Sequence, residues 1–238
     1  MDNDGREDLL VYRYGHLSLF RNVDGRRFED VTQAAGLRQW INSNGAIWLD
    51  YDRDGHLDLY VTAYFRDDVD LWNVKSTRIM HNSFEFATNG GGNRLFRNLG
   101  GGKFEDVTDR LGVGSTRWTL AAASADFNGD GWPDIYVAND SVPNLFFRNT
   151  GKGAFVEDGL LAGVAVSGDG RSQAGMGVDA GDFNGDGLPD LVVTNFSHDY
   201  NTLYEQGPRG VFTDRSYAAG IAVTAGPYLG WGVKLVGL

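Results

Sequence analysis

The sequence predicts an all-β protein: a β-propeller of four-stranded antiparallel blades, with about four blades in this chain. Three recurrences predict it: an acidic loop repeated in register, a second segment type after each loop, and a small-residue strand before it. Internal repetition decides an architecture before single elements are assigned, and short strands punctuated by glycine at every repeat are the mark of propeller blades.

The acidic segment reads LDYDRDGHLDLYV at 49–61, ADFNGDGWPDIYV at 125–137 and GDFNGDGLPDLVV at 181–193, with a clipped DNDGREDLLVY at 2–12. The second type reads LFRNVDGRRFEDVTQAAGL at 19–37, LFRNLGGGKFEDVTDRLGV at 95–113, FFRNTGKGAFVEDGLLAGV at 146–164 and, more loosely, LYEQGPRGVFTDRSYAAGI at 203–221. Before each loop comes a stretch of small residues: GAIWL at 45–49, WTLAAASA at 118–125, AGMGVDAG at 174–181 and, last, LGWGVKLVG at 229–237. One unit is therefore a small-residue strand, the acidic turn, a strand such as LDLYV, a loop, a strand such as NRLFRN, a Gly-rich turn and a strand such as FEDVT. The small-residue strand is expected innermost, where space near the axis is least. The units run over about 1–49, 50–125, 126–181 and 182–238, as one propeller domain or a propeller fragment. A β-sandwich would need these composite matches to be coincidence, and a helical array would need an i, i+3, i+4 apolar stripe that no unit offers.

Composition agrees. The 238 residues are 42% hydrophobic, enough for a core, and 34 glycines with 14 Phe, 10 Tyr and 6 Trp suit short strands joined by tight turns. The absence of cysteine excludes a disulfide scaffold, a thiolate metal site and a cysteine nucleophile. No apolar run approaches the roughly 18 residues of a membrane span. The opening MDNDGREDLL lacks the basic-then-apolar order of a signal peptide, so an export signal is expected outside this chain. A net charge of -11 opposes nucleic-acid and anionic-membrane partners.

The loops follow D-x-[DN]-x-D-G-x-x-D. They contribute Asp50, Asp52, Asp54 and Asp58; Asp126, Asn128, Asp130 and Asp134; Asp182, Asn184, Asp186 and Asp190; and the clipped Asp2, Asp4 and Asp8. Carboxylates at alternate positions of a tight turn converge on a point, and a hard divalent cation is the natural occupant; oxygen-only donors on a flexible loop favour Ca²⁺. The position-seven residue, Arg6, His56, Trp132 or Leu188, is expected to add a backbone carbonyl, and the position-nine Asp to close the shell. An EF-hand is excluded, because its position-twelve Glu is here Val61, Val137 or Val193 inside a β-type run. Three complete calcium sites are expected, with a fourth completed only if the chain ends meet. Their role is to lock blade geometry, and bound calcium would cancel most of the acidity.

These motifs resemble the FG-GAP or VCBS repeat of integrin-α-type propellers. The wording QAGMG at 173–177, TNFSHDYNTLY at 194–204 and YLGWG at 228–232 is similar to the ASPIC/UnbV group. The resemblance implies an extracellular, cell-surface or periplasmic calcium-stabilised propeller, commonly seven-bladed, used in adhesion or ligand binding. Against that pattern these 238 residues are read as four units, and no activity of the group's C-terminal domain is expected from them. The segment at 229–236 is expected to complete the first blade beside residues 9–12. That would close a four-bladed ring or, through a homo-oligomer, a larger one; the alternative is an open propeller fragment.

A protein or glycan ligand is expected on the face opposite the acidic loops. An insertion at 66–92 carries Arg66, Asp67, Asp68, Asp70, Trp72, Lys75, Arg78, His81 and Phe84, a mixture suited to recognition. Trp40, Asn42, Asn44, Arg117, Trp118, Asp140, Arg171, Gln173, His198, Asp199 and Tyr200 are placed on the same face, with Trp118 and Trp231 expected to pack between blades. The ligand-binding candidates are thus Trp40, Arg66, Trp72, His81, Arg117, Asp140, Arg171, Gln173, His198 and Asp199. The alternative is an enzyme of lyase or hydrolase type acting on carbohydrate or a related metabolite, with His198, Asp199, Asp140 and Arg171 as an acid/base group. No G-x-S-x-G, H-E-x-x-H, P-loop or dinucleotide fingerprint supports it. A scaffold fragment without its own ligand is the third reading.

Overall fold

The computed structural model describes residues 1–74, 79–83 and 86–236. The second blade is β5 (Trp40–Leu49), β6 (Asp58–Phe65), β7 (Arg94–Asn98) and β8 (Phe104–Asp106), hydrogen-bonded in that order. The third is β9 (Thr119–Ala125), β10 (Asp134–Asn139), β11 (Leu145–Asn149) and β12 (Phe155–Glu157); the fourth is β13 (Gly175–Gly181), β14 (Asp190–Asn195), β15 (Thr202–Gly207) and β16 (Val211–Asp214). The first blade holds β1 (Leu9–Val11), β3 (Ser18–Asn22) and β4 (Phe28–Asp30), and the short β2 (Tyr14–His16) crosses to the inner edge of β5. Every ladder is antiparallel.

Single helical turns, α1 (Thr108–Leu111) and α2 (Gly159–Ala162), follow the outer strands of the second and third blades, and α3 (Ile221–Ala225) follows the fourth. The strand-only reading missed them. Their signal is the glycine that ends the turn: Gly112 and Gly163 take left-handed φ of 68° and 81°, where a side chain would be strained.

The recurring residues have hydrogen-bonding causes. In the second, third and fourth blades the position-nine aspartate accepts two backbone N–H groups, one from its own loop and one from the third strand. Asp58 takes Tyr51 and Asn98 at 3.1 and 2.7 Å, Asp134 takes Phe127 and Asn149 at 3.3 and 2.7 Å, and Asp190 takes Phe183 and Gln206 at 3.0 and 2.7 Å. The D-x-[TS] at the fourth strand works the same way: Asp106 accepts the Thr108 N–H and hydroxyl, while the Thr108 oxygen accepts the Leu95 N–H at 2.8 Å. The asparagine ending LFRN joins blades, since Asn149 donates to Tyr51 O at 2.8 Å and Asn98 to Met1 O at 3.0 Å.

The core lies between neighbouring sheets. Leu19, Leu37, Leu59, Val61 and Phe96 fill the space between the first and second blades, Tyr60, Leu95, Ile135, Val137 and Phe147 that between the second and third, and Phe127, Tyr136, Phe146, Leu191 and Phe212 that between the third and fourth. The second and third sheets thus bury both faces, as inner members of a stack of repeats must.

The small-residue strands lie at the inner edge of their sheets, apart from the short β2 beside the start of β5, and β9 touches both β5 and β13 along the axis. Position five residues before each loop is Gly45, Ala121 and Gly177, because the next sector's backbone crosses there: a Cβ at Gly45 would lie 3.2 Å from Leu120 O, and one at Gly177 would overlap Trp231 O. Residues 229–236 therefore run where a next inner strand would, alongside β13, held by Thr194 Oγ1 donating to Trp231 O at 2.9 Å and Leu235 N to Asp179 at 2.7 Å. The expected pairing with the first blade is corrected here. Among the described residues β1 pairs only with β3 and 229–236 forms no ladder with it, while Gly237 and Leu238 lie outside the described residues. Gly177→Ala is expected to expel the terminal segment at a cost of about 2 kcal/mol, an overpacking penalty. Thermal unfolding together with proteolysis at 229–236 measures it, and wild-type values in both would contradict the placement.

Candidate metal loops and axial face

In the second loop, one carboxylate oxygen each from Asp50, Asp52 and Asp58 lie within 4.8 Å of one another, the only such triad of acidic or histidine groups among the described residues. Asp58 is 0% exposed. Burial pushes its carboxyl up to about 7, Asp52 and Asp54 push the same way, and the Asn98 and Tyr51 N–H groups pull it down. Asp52 Oδ1 is buried with no hydrogen-bond partner. An orphaned carboxylate oxygen beside a fully buried aspartate is a site short of positive charge, so the residues present fit a hard divalent cation. Arg97 supplies part of that charge, lying 2.7 Å from Asp52 and 3.1 Å from Asp54.

The other loops share the backbone turn and differ in charge. Asp126 accepts N–H groups from Gly129, Asp130 and Gly131, and Asp182 accepts them from Gly185, Asp186 and Gly187. The Gly187 N–H leads in holding the Asp182 carboxyl below its ordinary range. Burial raises Asp134 to about 7 and raises Asp190 as well. In the first loop, Arg6 pairs with Asp4 at 2.6 Å and the Met1 amino group with Asp8 at 2.5 Å. Position seven contributes its N–H to the turn: Arg6, His56, Trp132 and Leu188 each donate to the position-five aspartate at 2.9 Å.

The loops leave the inner strands at one end. At the other end a cavity of about 640 Å³ lies on the axis, lined by equivalent positions of β5, β9 and β13, by Trp231 to Val233, and by Tyr12, Tyr14, Tyr64 and Phe65. Asn44 donates to Leu120 O at 2.7 Å, and its buried Oδ1 has no hydrogen-bond partner. Tyr12 and Tyr14 are 46% and 40% exposed, so their rings are available at the rim.

Of the ten ligand-binding candidates, His81 and Asp140 come together. His81 Nε2 is 3.6 Å from Asp140 Oδ2, which also accepts the Tyr64 hydroxyl. The His81 ring stacks on Trp118 at 4.2 Å, and Trp118 donates to Asn89 at 2.9 Å, so the insertion is clasped across the second and third blades. Tyr64 was not singled out. Its signal was the length of the DLYVTAYF run, which outlasts its counterparts in the other units.

The remaining candidates stand apart. Gln173 is buried and bonds Tyr200 O and Thr202; Asp199 accepts the Ala174 N–H; and His198 takes a φ of 76° in the same turn, so these three shape a loop. Arg171 pairs with Asp169 at 3.3 Å, Arg66 pairs with Asp68, Arg117 donates to Pro143 O at 2.6 Å, Trp40 meets His16 edge-on, and Trp72 is 81% exposed. The acid/base group of His198, Asp199, Asp140 and Arg171 is accordingly not assembled: among the described residues no hydrogen bond or ion pair links the four. Trp118 is buried as expected, whereas Trp231 is 58% exposed, because no further sheet covers it here. Lys75, Arg78 and Phe84 lie outside the described residues.

Repeated four-stranded sheets around an axis, with an acidic loop at one end of each inner strand, define a repeat-built β-propeller. The chain belongs to the FG-GAP-like repeat family, whose pattern matches residues 1–61, 86–137 and 126–193 and passes over most of the insertion. It is similar to cartilage acidic protein 1 of Xenopus tropicalis, with 34% identity over 234 residues, and of Homo sapiens, with 24% identity over 235; each comparison covers 92% of this chain. The chain spans about a third of the length of these relatives, 33% and 32%. Among solved structures, an Agrocybe aegerita lectin studied for recognition of non-reducing terminal N-acetylglucosamine gives a TM-score of 0.45 at 17% identity, over 88% of this chain and 48% of that one. No helix of the described residues is long and apolar enough to cross a membrane.

Proposed function

We propose that this chain is a calcium-stiffened extracellular recognition module that binds a protein or glycan at the axial face away from its acidic loops. The observation that carries the reading is the division of labour along each inner strand. One end enters a loop whose carboxylates lack sufficient counter-charge, with Asp50, Asp52 and Asp58 held together; the other lines a cavity of tyrosines and backbone. Asp2, Asp4, Asp8, Asp50, Asp52, Asp54, Asp58, Asp126, Asn128, Asp130, Asp134, Asp182, Asn184, Asp186 and Asp190 are the proposed calcium ligands. Calcium neutralises the loops and fixes the angle between the first and second strands of each blade. The cavity has the volume and aromatic lining of a small-ligand pocket, and no charged group among the described residues lines it, which suits a neutral ring such as a sugar. Kinship with cartilage acidic protein 1 supports an extracellular setting. The His81, Asp140 and Tyr64 cluster is largely enclosed and holds the insertion in place, so it supports packing over catalysis.

The test is a glycan and extracellular-protein binding screen in calcium, repeated with Tyr12→Ala. We expect a hit that weakens at least about fivefold in the variant, since a stacked aromatic contributes on the order of 1 kcal/mol or more, with unfolding unchanged. Binding indifferent to Tyr12 would move the site elsewhere.

A further inference from the structure

Four asparagines precede glycine in this chain: Asn44, Asn89, Asn128 and Asn184. Asn-Gly is the dipeptide most prone to deamidation, because no Cβ shields the glycine nitrogen. That nitrogen attacks the asparagine side-chain carbonyl, an N–C bond forms, the bond to Nδ2 breaks and ammonia leaves. Water then opens the cyclic imide at either carbonyl to give aspartate or isoaspartate. The net change is water in and ammonia out, with no oxidant. The reaction needs a free glycine nitrogen and a side chain able to swing onto it.

The structure sorts the four. Gly45 sits within β5, paired with Thr62, and Asn44 donates to Leu120 O at 2.7 Å. Gly90 N–H donates to Thr116 O at 2.8 Å, while the Asn89 side chain is fixed by Asn82, Trp118 and Met80. Both are restrained by sheet and packing. In the third and fourth loops the restraint is the loop itself. Gly129 N–H is held by Asp126 Oδ1 at 2.9 Å and Gly185 N–H by Asp182 Oδ1 at 2.7 Å, and the Asn128 and Asn184 side-chain oxygens accept the Asp130 and Asp186 N–H groups at 2.9 and 3.0 Å.

The acids of those two loops also have no paired cation among the described residues; the basic groups near the third loop are Arg53, over the Trp132 ring at 5.4 Å, and Arg148, whose charge acts on Asp134. Arg6 pairs with the first loop and Arg97 with the second, whereas among the described residues no ion pair reaches Asp126, Asp130, Asp134, Asp182, Asp186 or Asp190. Three acids per loop are left for a bound cation to hold, and position three carries the neutral Asn where the second loop carries Asp52.

We propose that Asn128 and Asn184 are calcium-gated deamidation sites: the occupied loop pins the glycine nitrogen on the position-one carboxylate, and loss of the ion releases it. The proposal rests on the calcium reading above. Conversion to aspartate gives these loops the D-x-D-x-D pattern of the second loop; conversion to isoaspartate lengthens the backbone by one carbon and spoils the turn. Depletion thus leaves a covalent record in these two loops.

The experiment incubates the full chain at mildly alkaline pH in excess calcium or in chelator, then maps Asn-to-Asp and isoaspartate conversion at all four sites by peptide mass spectrometry. Calcium binding to the starting sample is measured by calorimetry. Because a ligand suppresses opening by the factor that it stabilises the closed state, conversion at Asn128 and Asn184 is expected to be at least about tenfold faster in chelator, with Asn44 and Asn89 unchanged. Equal rates in the two arms, with binding shown by calorimetry, would overturn the gating and leave the calcium reading standing. Acceleration at all four sites would overturn it in favour of global unfolding. Absence of binding heat, with equal rates, would overturn both.

Discussion

Asp134→Ala is expected to destabilise the protein by about 3 kcal/mol, because it strips the acceptor from two N–H groups at once. Asp134 is 0% exposed, and its two oxygens take the Phe127 and Asn149 N–H groups, tying the third loop to the third strand of its blade. A buried donor left without an acceptor costs about 1 to 3 kcal/mol, and the variant leaves two. Asp134→Asn separates the roles of this residue. It keeps one oxygen for the backbone and removes the charge, so it should lose less stability than alanine while losing the third loop's calcium response altogether. Chemical unfolding in calcium measures both variants. A cost below about 1 kcal/mol for alanine would mean that the hydrogen-bonded clasp is not what holds the loop.

Phe146→Ala is expected to cost about 3 to 5 kcal/mol, the range for deleting a buried aromatic ring. Phe146 is fully buried and meets Phe127 and Phe212 edge-on at 5.5 and 6.1 Å, while those two stand 5.9 Å apart, so one ring anchors the contact between the third and fourth blades. Because stacked repeats are stabilised by nearest neighbours, the loss should be local. Hydrogen exchange is expected to speed up in β10, β11, β14 and β15 and to change little in β3 and β4. Uniform acceleration along the chain would show instead that the blades unfold as one body.

The architecture was legible because its cause is local and repeated. Gly45, Ala121 and Gly177 are small because the neighbouring backbone crosses them, and LFRN recurs because its asparagine reaches the preceding blade. The position-nine aspartates were read as metal ligands from spacing alone. The role that the structure gives Asp58, Asp134 and Asp190, as acceptors for two backbone donors, selects the same residue type and so leaves no separate trace in the sequence. Side-chain clusters were harder to read, since adjacency along the chain does not give side-chain direction: His198 and Asp199 share a turn that serves its own backbone, while Tyr64, His81 and Asp140 meet from three separate segments. GWGVKLV reads as an inner strand of the first blade, whereas residues 229–236 run beside β13 and join no ladder among the described residues, because composition does not say which neighbour a segment accompanies.

Titrating the calcium-free chain with Ca²⁺ by calorimetry, and following its thermal unfolding in calcium and in chelator, tests the central claim most directly. The account predicts saturable binding at the acidic loops and a melting transition raised by the ion, since each site filled at about 100 times its Kd adds about 2.7 kcal/mol to the folded state. No binding, together with a melting temperature that is the same in chelator as in calcium, would contradict it.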